Sequence, residues 1–191
     1  MIYVCIIAAA NILITTGNTA FLSVPPTSAL VSSVLGTLFV ITLDGITAFF
    51  IRCLPGELFS LSKKLYSAGA RERALYRAIG IKRWKKYIPE LGMFTGFHKD
   101  KLKSTTDREY LWRFILESNY GVVIHLANSL CGLGVPILPS CRAPSVWMPI
   151  FAVNFVLSLM PAALLRYNTA SLIKLYERCI LREEPVCQEQ N

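Results

Sequence analysis

The segment ESNYGVVIHLANSL (117–130) sets a carboxylate, Glu117, and an imidazole, His125, at the entry to an apolar run. Ionisable groups are costly inside an apolar span, so by default they point to function. The chemistry such a pair would serve is removal of a proton from a hydroxyl or from water. Eight residues separate the two, about 12 Å of rise and roughly 80° of rotation on a straight helix. That spacing excludes a direct hydrogen-bonded pair on one regular helix. It predicts two groups bordering one cavity, Glu117 at the water boundary and His125 deeper. Asn128 lies one turn beyond His125 and shares its face. Asp44 is a third ionisable group in an apolar run. Each has a structural alternative: His125 bonded across helices, Glu117 in contact with water or Arg113, Asp44 solvated or paired with a basic neighbour.

The elements that would carry these groups follow from the distribution of apolar residues. Of 191 residues, 53% are hydrophobic and 17% charged, against about 25% charged in ordinary soluble domains. Four apolar blocks stand out, at 2–21, 29–51, 118–138 and 146–165. Each is close to the roughly 20 residues that a helix needs to cross a bilayer. A soluble amphipathic helix would show a polar stripe, whereas the stretch ALVSSVLGTLFV (29–40) offers nothing more polar than Ser and Thr. The first block has no Lys or Arg before it, because the first basic residue is Arg52. It reads as a retained span and not as a signal peptide. The predicted fold is therefore all-α: a polytopic integral membrane protein with four transmembrane helices and a basic amphipathic cytoplasmic segment.

The formal net charge is +8, and 15 of the 20 Lys and Arg lie between Arg52 and Arg113. Four more, Arg166, Lys174, Arg178 and Arg182, follow the last block, and only Arg142 sits between blocks three and four. This bias places the central segment and both termini in the cytoplasm of a multi-pass cell-membrane protein. It suits anionic lipid headgroups as partners, and with no nucleic-acid-binding motif beside it nucleic acid is not expected. The chain divides into two helices at 1–51, the cytoplasmic segment at 52–116, two site-bearing helices at 117–166, and a C-terminal helix and tail at 167–191. Six cysteines form no C-x-x-C pair, and with two histidines no metal site is expected. Cys131 and Cys141 remain open as a pair. In the central segment Leu61/Leu65, Leu75/Ile79 and Ile81/Trp84/Ile88 recur at helical spacing, flanked by Lys82, Arg83, Lys85 and Lys86. That is the make-up of an interfacial helix, or of an amphipathic helix packed on the protein's own bundle. Ser104, Thr105 and Thr106 are expected to cap a helix beginning near Asp107 that runs on into block three.

The ordered set IKRWKKYIPE (81–90), KDKL (99–102), the E-x7-H of Glu117 and His125, and RYN (166–168) resembles the glycosyl-diaponeurosporenoate acyltransferases of staphyloxanthin-type carotenoid synthesis. The resemblance runs from about 74 to 172. The chain departs from that family's pattern at Tyr120, Val122, Leu126 and Thr169, and in its first two spans. The resemblance implies a small multi-pass enzyme that moves a fatty acyl group onto a hydroxyl of a membrane glycolipid. It makes His125 the base, since His98 lies in a loop beside Lys99. Glu117 would orient the imidazole or bind the acceptor sugar. Trp84 and Lys85 would present an acyl-CoA-type thioester, with Arg83, Lys85 and Arg166 toward its phosphates. Asn128 and Asn168 would donate to the oxyanion or to sugar hydroxyls, and Tyr167 would stand beside them. No resident cofactor and no covalent Ser or Cys intermediate is implied. Two other classes share these residues: a non-enzymatic lipid-binding or accessory membrane protein, and an intramembrane hydrolase in which water replaces the acceptor. The acceptor, the acyl chain and the oligomeric state are left open.

Overall fold

A computed structural model describes residues 2–59, 64–88 and 107–183. The described residues form helices and turns, with no strand among them. In chain order these are α1 (Ile2–Leu22), α2 (Pro26–Arg52), α3 (Ala70–Ala78), α4 (Ile81–Trp84), α5 (Arg108–Cys131) and α6 (Pro144–Glu183). Short 3-10 turns occupy Gly56–Phe59, Lys85–Tyr87, Gly132–Ile137 and Pro139–Cys141. Four helical stretches are long and apolar enough to cross a membrane: Ile2–Leu22, Pro26–Arg52, Arg108–Ile137 and Pro144–Leu181.

Two of the four blocks extend well past their apolar limits. α5 begins ten residues before block three, because Asp107 caps it: its Oδ1 accepts from the Tyr110 amide at 3.0 Å. The expected caps Ser104, Thr105 and Thr106 lie outside the described residues, as do His98, the KDKL run and Leu61. α6 passes Arg166 without a break and continues to Glu183.

The chain divides into two compact units, residues 1–54 with 123–162, and residues 55–122 with 163–191. In the first, Ile14, Val40, Val135, Cys141, Val146 and Ile150 form a buried core. Glycine sets how closely its helices approach. A Cβ at Gly132 would stand 2.7 Å from the Phe151 Cα, and one at Gly36 would stand 2.8 Å from Ile150 Cδ1. Neutral polar side chains join the same helices. Asn11 Oδ1 on α1 accepts from Ser33 Oγ at 2.6 Å and Thr37 Oγ1 at 3.2 Å on α2. α6 contains Pro149 and Pro161, and each, lacking an N–H, leaves the carbonyl four residues earlier without its helical donor. Those carbonyls belong to Ser145 and Leu157. Asn18 Nδ2 donates to Ser145 O at 3.2 Å, and the Tyr3 hydroxyl donates to Leu157 O at 3.3 Å. Thus α1 supplies both missing donors. Ser145 Oγ also donates to Asn18 Oδ1, at 2.6 Å. Cys131 and Cys141 are free thiols, and Cys141 donates to Ser32 O at 3.1 Å.

In the second unit, Phe114, Ile115 and Leu172 pack together with Tyr110, Ile173 and Tyr176 at their edge. Phe59 stacks on Tyr120 with ring centroids 3.9 Å apart, and its carbonyl accepts from the buried Asn119 Nδ2 at 2.8 Å. The apolar spacing across 75–88 predicts a continued face, but the helix breaks at Gly80, whose φ of 73° is left-handed. Glycine takes that conformation without the Cβ clash other residues meet. The turn divides the apolar residues between two environments: Leu75 and Ile79 are exposed, while Ile81 and Ile88 are buried.

Candidate functional site

α3 has the sequence ARERALYRA, one carboxylate among three arginines. That carboxylate, Glu72, faces Arg166 of α6 in a fork. Arg166 Nε donates to Oε1 at 2.8 Å and Nη2 donates to Oε2 at 2.7 Å. Their side chains are 29% and 17% exposed, so this bidentate pair is shielded from water and stronger than a surface ion pair. Arg166 also donates through Nη1 to Leu65 O and through Nη2 to Ser67 O. Its own carbonyl accepts from the Ala68 amide at 3.0 Å. One residue of α6 thereby fixes the course of the 65–69 loop, from which α3 starts.

Tyr76, one turn along α3, donates its hydroxyl to Glu72 Oε1. Hydrogen bonds from Arg166 hold the Glu72 carboxyl below the usual carboxylate range. Burial, and then the Glu72 carboxylate, push the Tyr76 hydroxyl up to about 12. Tyr76 therefore stays protonated and acts as a donor, not as a base. The Tyr167 ring meets that of Tyr76 edge-on at 6.4 Å, and the Arg73 guanidinium lies 5.7 Å from the Tyr167 ring centre, within cation–π range.

The residues expected from sequence fall in both units. Arg83 and Lys85 are exposed, and Trp84 is half-buried with its indole N–H donating to Ile79 O at 3.2 Å. Asn168 is exposed and Tyr167 half-buried. Arg166, expected to face phosphates, has four donor contacts within the protein. Glu117 and His125 are both half-buried on the one helix α5, but Glu117 belongs to the second unit and His125 to the first. Asn128, 9% exposed, lies with His125 in the first unit, and Asn154 Nδ2 on α6 donates to its carbonyl at 2.7 Å. That bond satisfies one of the carbonyls left open at the C-terminal end of α5.

Sequence reasoning missed Glu72, Tyr76, Arg73 and Asn154. For the first three the signal is a lone acid in a basic helix with tyrosine at i+4. For Asn154 it is a single amide in an otherwise apolar stretch.

These features define an all-helical protein of membrane-spanning proportions, with a charged hub tying α3 to α6 and an imidazole set in an apolar helix. A family model for glycosyl-4,4'-diaponeurosporenoate acyltransferase matches residues 60–178. The chain belongs to that acyltransferase family. No curated protein and no solved structure matches it.

Proposed function

We propose that the protein transfers a fatty acyl group from an acyl-CoA-type thioester to a hydroxyl of a membrane glycolipid, at the cytoplasmic face of the cell membrane. The observation that carries this reading is the family match over 60–178, which includes the nine residues given a role by the resemblance, though not Asp44. The four span-length helices and the basic segment between the second and third support a multi-pass protein with cytoplasmic termini.

In the reaction, the acceptor oxygen attacks the thioester carbonyl as His125 takes the hydroxyl proton. A C–O bond forms, the C–S bond breaks, and the proton passes from the imidazolium to the departing thiolate. Asn128 and Asn168 supply N–H donors to the oxyanion or to sugar hydroxyls. Glu117 binds the acceptor sugar. Arg83 and Lys85 meet the donor phosphates beside Trp84. Arg166 contributes by holding the 65–69 loop and α3, which sets Tyr167 and Arg73 in place. Leu75 and Ile79, exposed among Arg71, Arg77 and Lys82, give the segment an apolar face and basic flanks for anionic headgroups.

The test is incubation of the purified protein with labelled acyl-CoA and a panel of glycolipids. His125→Ala is expected to lower transfer by about 10²-fold or more, with expression and membrane insertion unchanged. Retention of most of the activity removes His125 as the base. Lipid co-purification without turnover, over a broad donor panel, removes the acyltransferase and leaves a binding protein.

A further inference from the structure

The hub leaves the charge on α3 unbalanced. The only carboxylate of that helix, Glu72, is forked by Arg166 through both oxygens and also accepts from Tyr76. Arg71, Arg73 and Arg77 therefore have no counter-ion on their own helix. Among the described residues neither Arg73 nor Arg77 pairs with a carboxylate. The two are one helical turn apart on one side of α3, where like charges repel unless an anion joins them.

Arg73 is also held in place. It is half-buried, and its guanidinium lies over the Tyr167 ring, 5.7 Å from the ring centre. Tyr167 meets Tyr76 edge-on, and Tyr76 is bonded to Glu72. A guanidinium with its face on a ring keeps the N–H donors along its edge for a ligand. A carboxylate or a phosphodiester would bring a single negative charge. A phosphate monoester brings about −1.5 to −2 at neutral pH, and it matches both arginines through paired N–H···O bonds. Arg73 stands about 160° around α3 from the exposed Leu75. With Leu75 toward the bilayer, the arginine opens on the aqueous side.

We propose that Arg73, held over Tyr167, and Arg77 bind a phosphate monoester, and that this ester belongs to the soluble thioester donor. In an acyl-CoA-type donor it is the phosphate on the ribose ring, apart from the diphosphate left to Arg83 and Lys85. The inference rests on the acyltransferase reading and deepens it by naming the donor group that is recognised. Arg73 and Arg77 are binding residues, and they take no part in the acyl transfer itself.

The experiment uses the full chain in phosphatidylcholine nanodiscs, titrated calorimetrically with coenzyme A and with dephospho-coenzyme A, which keeps the diphosphate and lacks the monoester. Wild-type protein is expected to bind coenzyme A about tenfold more tightly, and Arg73→Gln and Arg77→Gln each to lower that ratio about fivefold. Tyr167→Leu should lower it as well, and Tyr167→Phe, which keeps the ring, should hold it. Equal binding of the two probes by the wild type overturns the proposal without reference to any variant. An unchanged ratio in whichever arginine variant remains folded, as read from its urea transition, also overturns it. Loss of the wild-type ratio in nanodiscs that also contain phosphatidate, a lipid with the same ester, makes a headgroup the occupant and overturns the assignment to the donor. If the ratio depends on Arg73 while the wild type transfers no acyl group, the site stands and the acyltransferase reading falls. If transfer proceeds and the KM for acyl-CoA relative to its dephospho analogue is the same in Arg73→Gln, the site falls and the acyltransferase reading stands.

Discussion

In the unit of residues 1–54 and 123–162, side-chain hydrogen bonds between helices are made mostly by neutral groups: Asn11 with Ser33 and Thr37, Asn18 with Ser145, Tyr3 with Leu157, Asn154 with Asn128, with Asp44 in reach of Cys131 and Asn154 as the exception. In the unit of residues 55–122 and 163–191, α3 and α6 are joined by a guanidinium and a carboxylate. The neutral bonds mostly complete backbone groups that proline or a helix end has left open. The ion pair fixes a loop and the helix that follows it. The difference teaches two uses of polarity in one chain. An amide inside apolar helices repairs backbone, where an unpaired carbonyl has no water to turn to. A paired charge imposes a specific geometry through a planar fork.

The largest effect expected from disturbing this contrast is at Arg166. Arg166→Ala leaves the mostly buried Glu72 without its cation, and should destabilise the second unit by about 3 kcal/mol. Urea titration followed at Trp84 and Trp112, which lie in that unit, against Trp147 in the other, measures it. An equal shift at Trp147 would break the distinction between the units. Next is Gly132→Ala, whose Cβ meets backbone at Phe151 and has no flexible neighbour to displace. It should destabilise the first unit by about 2 kcal/mol, read at Trp147. Asn18→Leu should cost about 1 kcal/mol and much less in a Pro149→Ala background, where residue 149 again donates to Ser145 O. A double-mutant cycle by thermal unfolding gives the coupling, and strict additivity would sink the repair account. The smallest effect is the response to pH. The Glu72 carboxyl is held low by Arg166, so its contribution is present above the ordinary carboxylate range and is lost as pH falls through the folded value. Tyr76 is raised to about 12, so its contribution is present below the ordinary tyrosine range near 10 and is lost as pH rises through 12. Both losses should register at Trp84 and Trp112; the acid loss should shrink in Arg166→Ala, whereas the alkaline loss, which comes from burial and Glu72, should persist.

The four helices long and apolar enough to cross a membrane were legible because length and apolarity are both written in composition. All four blocks recur as helices, with ends moved by features composition does not weigh: the Asp107 cap extends α5, and nothing after Arg166 stops α6. The central basic segment was legible in outline only. Residues 75–88 have helical spacing, yet the left-handed Gly80 sends Ile81 and Ile88 inward, and glycine allows such a turn without requiring it. In the candidate site, Arg166 and Tyr167 were found because they form a short motif with charge in an apolar context. Glu72 and Tyr76 were missed because their meaning comes from a residue about ninety positions away. Asn154 was missed for the opposite reason: one amide in a span reads as filler until its two neighbours on other helices are known.

The two prolines of α6 have a consequence for how the family's chains diverge. Both lie within the stretch that the family model covers, whereas Tyr3 and Asn18, which complete the carbonyls those prolines expose, lie before it. A proline at 149 or 161 thus depends on donors from a helix outside the matched stretch. Relatives that keep the prolines should carry a tyrosine- or asparagine-like donor at the matching heights of α1, or some other donor in its place. Relatives that lose a proline should show that donor drifting to Leu or Ile.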